Sequence, residues 1–366
     1  MSEESKGRIV FLDYMRIFAF ISVLIGHKFY DGLLAFVSSP DAIATTKILG
    51  TLLNPFLYGG GAGVIVFFLT SGYIITAVLR RESTGTFLIN RIFRIYPLYI
   101  VAVMAEVFIA QWWFGTPIPS AEIMVPRLLL VGDFFTTPYA LAGVEWTLRL
   151  EIMFYVFMAI LKSAGMLKTE TRLALTMLFA TVALYIAPTF PHGYGGTDGY
   201  FNTYAPFLLI GSLIFAFEKS KEKGQKIICV SAGAAIFWIY LLTLQKLHSH
   251  ILFSTYGIAA LLLFAIAWKF QHLARSSFLS LLLAELTYSI YLFHNWAWGY
   301  LGALAWNFHI DFIPADFQII VLLMLLCYAL NKTIEKGGIS LGKMLTKRIR
   351  ISKRTSQPIQ DSSSTV

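Results

Sequence analysis

Residues Gly63 to Thr76 read GVIVFFLTSGYIIT, fourteen positions without a charge. They lie inside a longer apolar stretch, roughly 61–80. A helix needs about 20 mostly apolar residues to cross the hydrocarbon core of a bilayer. Ser71 and Gly72 interrupt the run, which on its own is what close packing of membrane helices asks for.

Outward from this stretch the same pattern repeats. Ten apolar runs are read, roughly 9–30, 61–80, 93–114, 146–165, 171–187, 203–217, 226–246, 251–270, 278–304 and 316–335. Residues 117–135 are also apolar, but Pro119, Pro126, Arg127 and Asp133 interrupt them, so they read as an interfacial or re-entrant segment. Hydrophobic residues make up 57% of the 366, and only 13% are charged, against about 25% in soluble domains. Mean hydropathy is +0.69. These values exclude a soluble globular domain, a disordered chain and a disulfide scaffold. Cys229 and Cys327 stand in apolar runs without metal-ligand spacing and read as small core residues.

Lysine and arginine set the expected orientation. Lys6 and Arg8 precede the first run, and no small-residue cleavage site follows it, so it reads as an uncleaved helix. Of the 29 basic residues, 23 fall on the side of the N-terminus and 3 on the other. The expected fold is therefore an all-α integral membrane bundle of about ten transmembrane helices with both termini cytoplasmic. Residues 1–336 form its membrane domain. Residues 337–366, basic and then Ser-rich, read as a disordered cytoplasmic tail. The net charge of +9 is then an address for the inner leaflet and not a nucleic-acid footprint.

Ionisable residues at membrane depth are functional candidates, because each is costly unless paired or hydrated. The first run holds Asp13, Arg16 and His27. Helical spacing puts all three on one stripe, with His27 about 16 Å beyond Arg16. Asp13 and Arg16, three apart, can pair as a structural ion pair. Arg91 and Arg94 share a face at the mouth of the third run. They suit a bidentate phosphate clamp or simple anchoring to lipid head groups. Glu151 follows Trp146 by about 7 Å of helix, which puts it in the outer third of a core about 30 Å thick. His27 reaches a similar depth, and so does His294. A carboxylate beside an imidazole is a general-base arrangement, so His27 and Glu151 are expected within direct or one-water hydrogen-bonding reach, with His294 as the alternative partner. His248 and His250, two apart in a loop, are too weak a pattern for a metal, and none is expected.

Five places in order resemble the membrane-bound acyltransferase-3 family. They are LDYMRIFAFISVLIGH (Leu12 to His27), GVIVFFLTSGYIIT, RIFRIYP (Arg91 to Pro97), WTLRLEIMFY (Trp146 to Tyr155) and YSIYLFHNW (Tyr288 to Trp296). The resemblance covers about 10 to 335. It implies an inner-membrane, multi-pass enzyme of bacteria that uses acyl-CoA, usually acetyl-CoA, as donor substrate with no permanently bound cofactor. It assigns His27 as the essential histidine, Arg91 and Arg94 to acyl-CoA, and Glu151 to the tryptophan-led motif. Thr70, Asn90 and Arg149 depart from the family's common residues.

The reading is a membrane O-acyltransferase moving an acyl group to a carbohydrate hydroxyl, as in a surface polysaccharide or a lipid-linked glycan. His27 is the base, Glu151 orients it, and Asp13, Arg16, Ser71, Tyr288 and His294 support the site. Ser71, Tyr288 and Arg149 are candidates for stabilising the oxyanion. The alternative is a multi-span transporter or glycan exporter without acyl chemistry. Besides substrates, membrane lipids are the expected partners, and nucleic acid is not.

Overall fold

The computed structural model describes residues 8–192, 198–247 and 252–355. His248, His250 and the Ser-rich end lie outside them. Among the described residues there are fifteen α-helices and no strand. In chain order these are α1 (Val10–Lys28), α2 (Tyr30–Ser38), α3 (Ala44–Leu57), α4 (Gly61–Leu79), α5 (Thr84–Phe114), α6 (Ala121–Leu128), α7 (Trp146–Ser163) and α8 (Glu170–Ile186). There follow α9 (Tyr200–Lys219), α10 (Lys223–Leu247), α11 (Leu252–Lys269), α12 (Phe278–Phe293), α13 (Ala297–Asn307), α14 (Ala315–Leu330) and α15 (Lys336–Thr355).

Six helical stretches are long and apolar enough to cross a membrane: Val10–Lys28, Ala44–Leu79, Thr84–Phe114, Tyr200–Lys219, Lys223–Leu247 and Ala315–Ile349. Thr255–Lys269 and Phe278–Phe293 are apolar but shorter. The expected run 146–165 is helical as α7, but Arg149, Glu151 and Lys162 dilute its apolar character. Six helices, where ten runs were read, thus meet the criterion by length and apolarity. Residues 117–135 hold the short α6 and a 3-10 turn (Gly132–Phe134), as a non-spanning segment should.

Helix α4 is the central pillar. Most of its residues are buried, because it contacts α1, α7, α9 and α11. Its approach to α9 depends on two glycines. A Cβ on Gly72 would strike the Leu208 carbonyl, and one on Gly211 would strike the Leu69 carbonyl. The small residue that breaks the apolar run is thus the place where two backbones meet. Helix α12 lies against α1, and α8 and α10 lie against α9.

Two expectations are corrected. The run 278–304 is not one helix: it breaks at residues 294–296 between α12 and α13. The break is closed by side chains, with His294 Nδ1 donating to the Tyr291 carbonyl at 2.7 Å and Trp296 Nε1 to the Leu292 carbonyl at 3.1 Å. These carbonyls belong to a helix end, where no intrahelical donor remains. The second correction concerns the tail. Residues 336–355 are helical and lie along α5, with Gly338 against the Phe93 carbonyl and Pro97. A small residue opposite a proline ring lets a basic helix dock where composition alone suggested disorder.

Candidate functional site

Helices α1, α4, α5, α7 and α12 enclose a cavity lined by Arg16, Arg91, Arg94, Ser71, Glu151, Tyr155, Thr147, Tyr288 and Tyr291, among others. Three guanidiniums from two helices therefore converge on one space. The cavity carboxylate, Glu151, is 6% exposed. Its Oε1 accepts from Ser71 Oγ at 2.7 Å and from Tyr155 OH at 2.6 Å.

The expected pair of Asp13 with Arg16 is not formed. Asp13 Oδ2 instead accepts from Arg8 Nε at 2.5 Å. Arg8 lies on the N-terminal side of α1 and reaches down to the buried carboxylate, which leaves Arg16 turned into the cavity. Among the described residues, none of Arg16, Arg91 and Arg94 forms an ion pair. The buried Nε of Arg91 has no hydrogen-bond partner, and its guanidinium stands 5.4 Å from the Phe87 ring centroid. Three guanidiniums facing one cavity carboxylate leave the space with an excess of positive charge, and such a cluster attracts a polyanion.

His27 does not join Glu151. Its Nδ1 is 3.0 Å from His294 Nε2, and the next residues in each chain segment pair as well, Lys28 Nζ with Asn295 Oδ1 at 2.8 Å. Asn295 Nδ2 donates onward to the Ala142 carbonyl at 2.9 Å. His27 is exposed and His294 is 1% exposed. The expected orienting contact from Glu151 to His27 is not formed: Glu151 Oε1 accepts from Ser71 and Tyr155, and His27 Nδ1 meets His294. His27 also stands outside the cavity lining, one turn beyond Val23, which is on it. At that end Thr147 Oγ1 and Tyr291 OH are 2.7 Å apart.

Trp146 packs into an aromatic cluster with Phe68, Tyr200 and Tyr204. Its ring sits 5.0 Å from those of Tyr200 and Tyr204, where the segment before α7 enters the helix. That segment is tied to α7 by Arg149, which is fully buried. Arg149 Nη1 donates to Asp133 Oδ1 at 2.7 Å and Nη2 to Glu145. Its guanidinium lies 4.7 Å from the Tyr139 ring centroid. Tyr99 OH donates to Glu145 at 3.1 Å, and Tyr200 OH donates to Asp133. Glu151, two residues after Arg149, lines the same cavity as the three arginines.

The oxyanion candidates all have resting partners. Ser71 donates to Glu151, Tyr288 OH to the Ile95 carbonyl at 2.8 Å, and Arg149 to two carboxylates. The Ser71 and Tyr288 hydroxyls are thus engaged, and Arg149 keeps only its buried Nε without a partner. Tyr155, Tyr291, Thr147 and Asn295 were missed. Tyr155 had a sequence signal, since it stands four residues after Glu151 on one helix face. The others are brought in by tertiary contacts alone.

A bundle of apolar helices around a half-buried arginine cluster, with a histidine pair at one end, is the architecture of a multi-pass membrane protein with a cationic cavity. The chain belongs to the acyltransferase-3 family, whose profile, described as an acyltransferase domain, matches residues 9–332. It is 32% identical over 115 residues to the acyltransferase MdmB of Streptomyces mycarofaciens, covering 30% of each chain. It is 26% identical over 182 residues to nodulation protein 10 of Rhizobium leguminosarum bv. viciae, covering 44% of this chain and 46% of that one. It is 22% identical over 257 residues to SACOL0978 of Staphylococcus aureus (strain COL), whose name proposes an O-acetyltransferase, covering 57% of this chain and 40% of that one. The matched regions thus span less than half the length of these relatives. No solved structure matches the chain.

Proposed function

We propose that this protein is a membrane O-acyltransferase that moves an acyl group, foremost acetyl, from acyl-CoA to a hydroxyl of a carbohydrate such as a surface polysaccharide or lipid-linked glycan. The observation that carries the reading is the trio Arg16, Arg91 and Arg94 around one cavity without an ion pair. The phosphates of CoA supply the missing anion. The reading keeps ten spans, with α7, α8, α11 and α12 completing the count, both termini in the cytoplasm and the arginine end facing the donor pool of the inner membrane. The excess of Lys and Arg on that side supports this orientation.

In this reading the thioester passes Tyr291 and Thr147 toward His27. The acceptor oxygen attacks the thioester carbonyl carbon as its proton moves to His27. The tetrahedral intermediate then collapses, the C–S bond breaks, and the thiolate leaves with the proton from His27, so that ester and CoA thiol are the products. Glu151 fixes Ser71 and Tyr155 and balances part of the arginine charge; it does not orient the base. The exporter alternative receives no support from the family match.

The test is direct. Full-length protein in proteoliposomes, given labelled acetyl-CoA and surface glycan, should release CoA thiol and label the glycan. Glycans from cells with and without the gene should differ by acetyl mass. Unaltered glycans together with no acetyl-CoA turnover would sink the reading.

A further inference from the structure

His294 has a role that its position beside His27 makes specific. We propose that His294 is a positioning residue that sets the tautomer of His27 through a relay anchored on the Tyr291 backbone carbonyl. The inference rests on the reading of His27 as the base of the transfer.

The relay follows from donor and acceptor chemistry. A backbone carbonyl can only accept. His294 Nδ1, 2.7 Å from the Tyr291 oxygen, must therefore carry the proton. A neutral imidazole protonated at Nδ1 has a lone pair at Nε2. That Nε2 lies 3.0 Å from His27 Nδ1, so His27 Nδ1 must be the donor. His27 Nε2 is then unprotonated. His294 is the hydrogen-bond partner of His27 among the described residues, so that nitrogen stays free to take a proton. The ring centroids are 5.1 Å apart with planes 24° apart. That geometry fits two rings meeting nitrogen to nitrogen, nearly in one plane, and not face to face.

The anchor exists because the helix breaks here. Continued helix would offer the Tyr291 carbonyl a backbone donor, and the chain instead turns at residues 294–296. The register of the two segments is pinned by the adjacent pair, Lys28 with Asn295, and by Asn295 to the Ala142 carbonyl. The burial is also graded as a relay requires: His294 is 1% exposed while His27 is exposed. When His27 takes the acceptor's proton, its Nδ1–H···Nε2 bond becomes charge-assisted and strengthens. An interaction stronger in the transition state than in the ground state accelerates the step.

The experiment uses full-length protein in lipid bilayers with nitrogen-15 histidine labelling and two variants. His294→Phe keeps a flat ring and removes both nitrogens. His294→Gln keeps an amide oxygen able to accept from His27 Nδ1–H. The wild type should show His27 as the Nδ1–H tautomer, His294→Phe should lose that preference, and His294→Gln should retain it. In turnover, His294→Phe should lower kcat about 100-fold with the donor KM changed less than about 3-fold, and His294→Gln should recover most of the loss. The proposal is overturned if His27 is protonated at Nε2 in the wild type. It is equally overturned if His294→Phe leaves tautomer and kcat unchanged, or if His294→Gln falls as far as His294→Phe. The tautomer is read without turnover, so a failed relay and a failed acyltransferase reading give different results.

Discussion

Glu151 and Ser71, 80 residues apart in sequence, are joined by a hydrogen bond of 2.7 Å. That bond, with the one from Tyr155, places the carboxylate among the arginines and away from His27. Replacing Glu151 by Ala leaves two buried hydroxyls without an acceptor, at a cost of about 1–3 kcal/mol each. We expect Glu151→Ala to lower the thermal midpoint of detergent-solubilised protein and Glu151→Gln to restore most of it. Equal losses in the two variants would mean that the charge, not the hydrogen bonds, is what the fold needs.

The arginine trio makes a quantitative prediction. Each of Arg16→Ala, Arg91→Ala and Arg94→Ala removes a charge-assisted contact worth about 1.5–3 kcal/mol. That corresponds to about a 10- to 150-fold loss of affinity for CoA. Lysine should rescue only in part, because it lacks the planar fork. Isothermal titration with CoA and with dephospho-CoA measures this. Unchanged affinity in all three alanine variants returns the cluster to lipid anchoring.

His27→Ala should leave expression and membrane insertion intact. Transfer should fall by about 100- to 10,000-fold, the usual span for a lost general base. Acyl transfer close to wild type would remove His27 from the chemistry.

Arg149 is expected to matter for stability first. With Arg149→Leu, Asp133 and Glu145 remain buried without their cation, a change that costs about 3–5 kcal/mol. The triple variant Arg149→Leu, Asp133→Asn, Glu145→Gln should be less damaged than the single one. Thermal unfolding of both decides it, and a triple variant worse than the single would contradict a charge-balance origin.

Much of this protein was legible along the chain. The run from Gly63 to Thr76 announces a buried helix because no charge interrupts it, and the sided distribution of Lys and Arg supplies an orientation to test. Helical spacing alone put Arg91 with Arg94, and Asp13, Arg16 and His27 on one stripe, because residues on one helix have a fixed angular relation. Partners between helices were not legible. Asp13 took Arg8 in place of Arg16, and His27 took His294 in place of Glu151. Residue counting gives a distance along one helix and says nothing of which side chains a neighbouring helix presents at that height. The break at His294, the docking of α15 on α5 and the pairing of the two imidazoles depend on which backbone groups and which surfaces meet across the bundle. Those meetings are decided by packing between distant segments, so only the tertiary structure carries them.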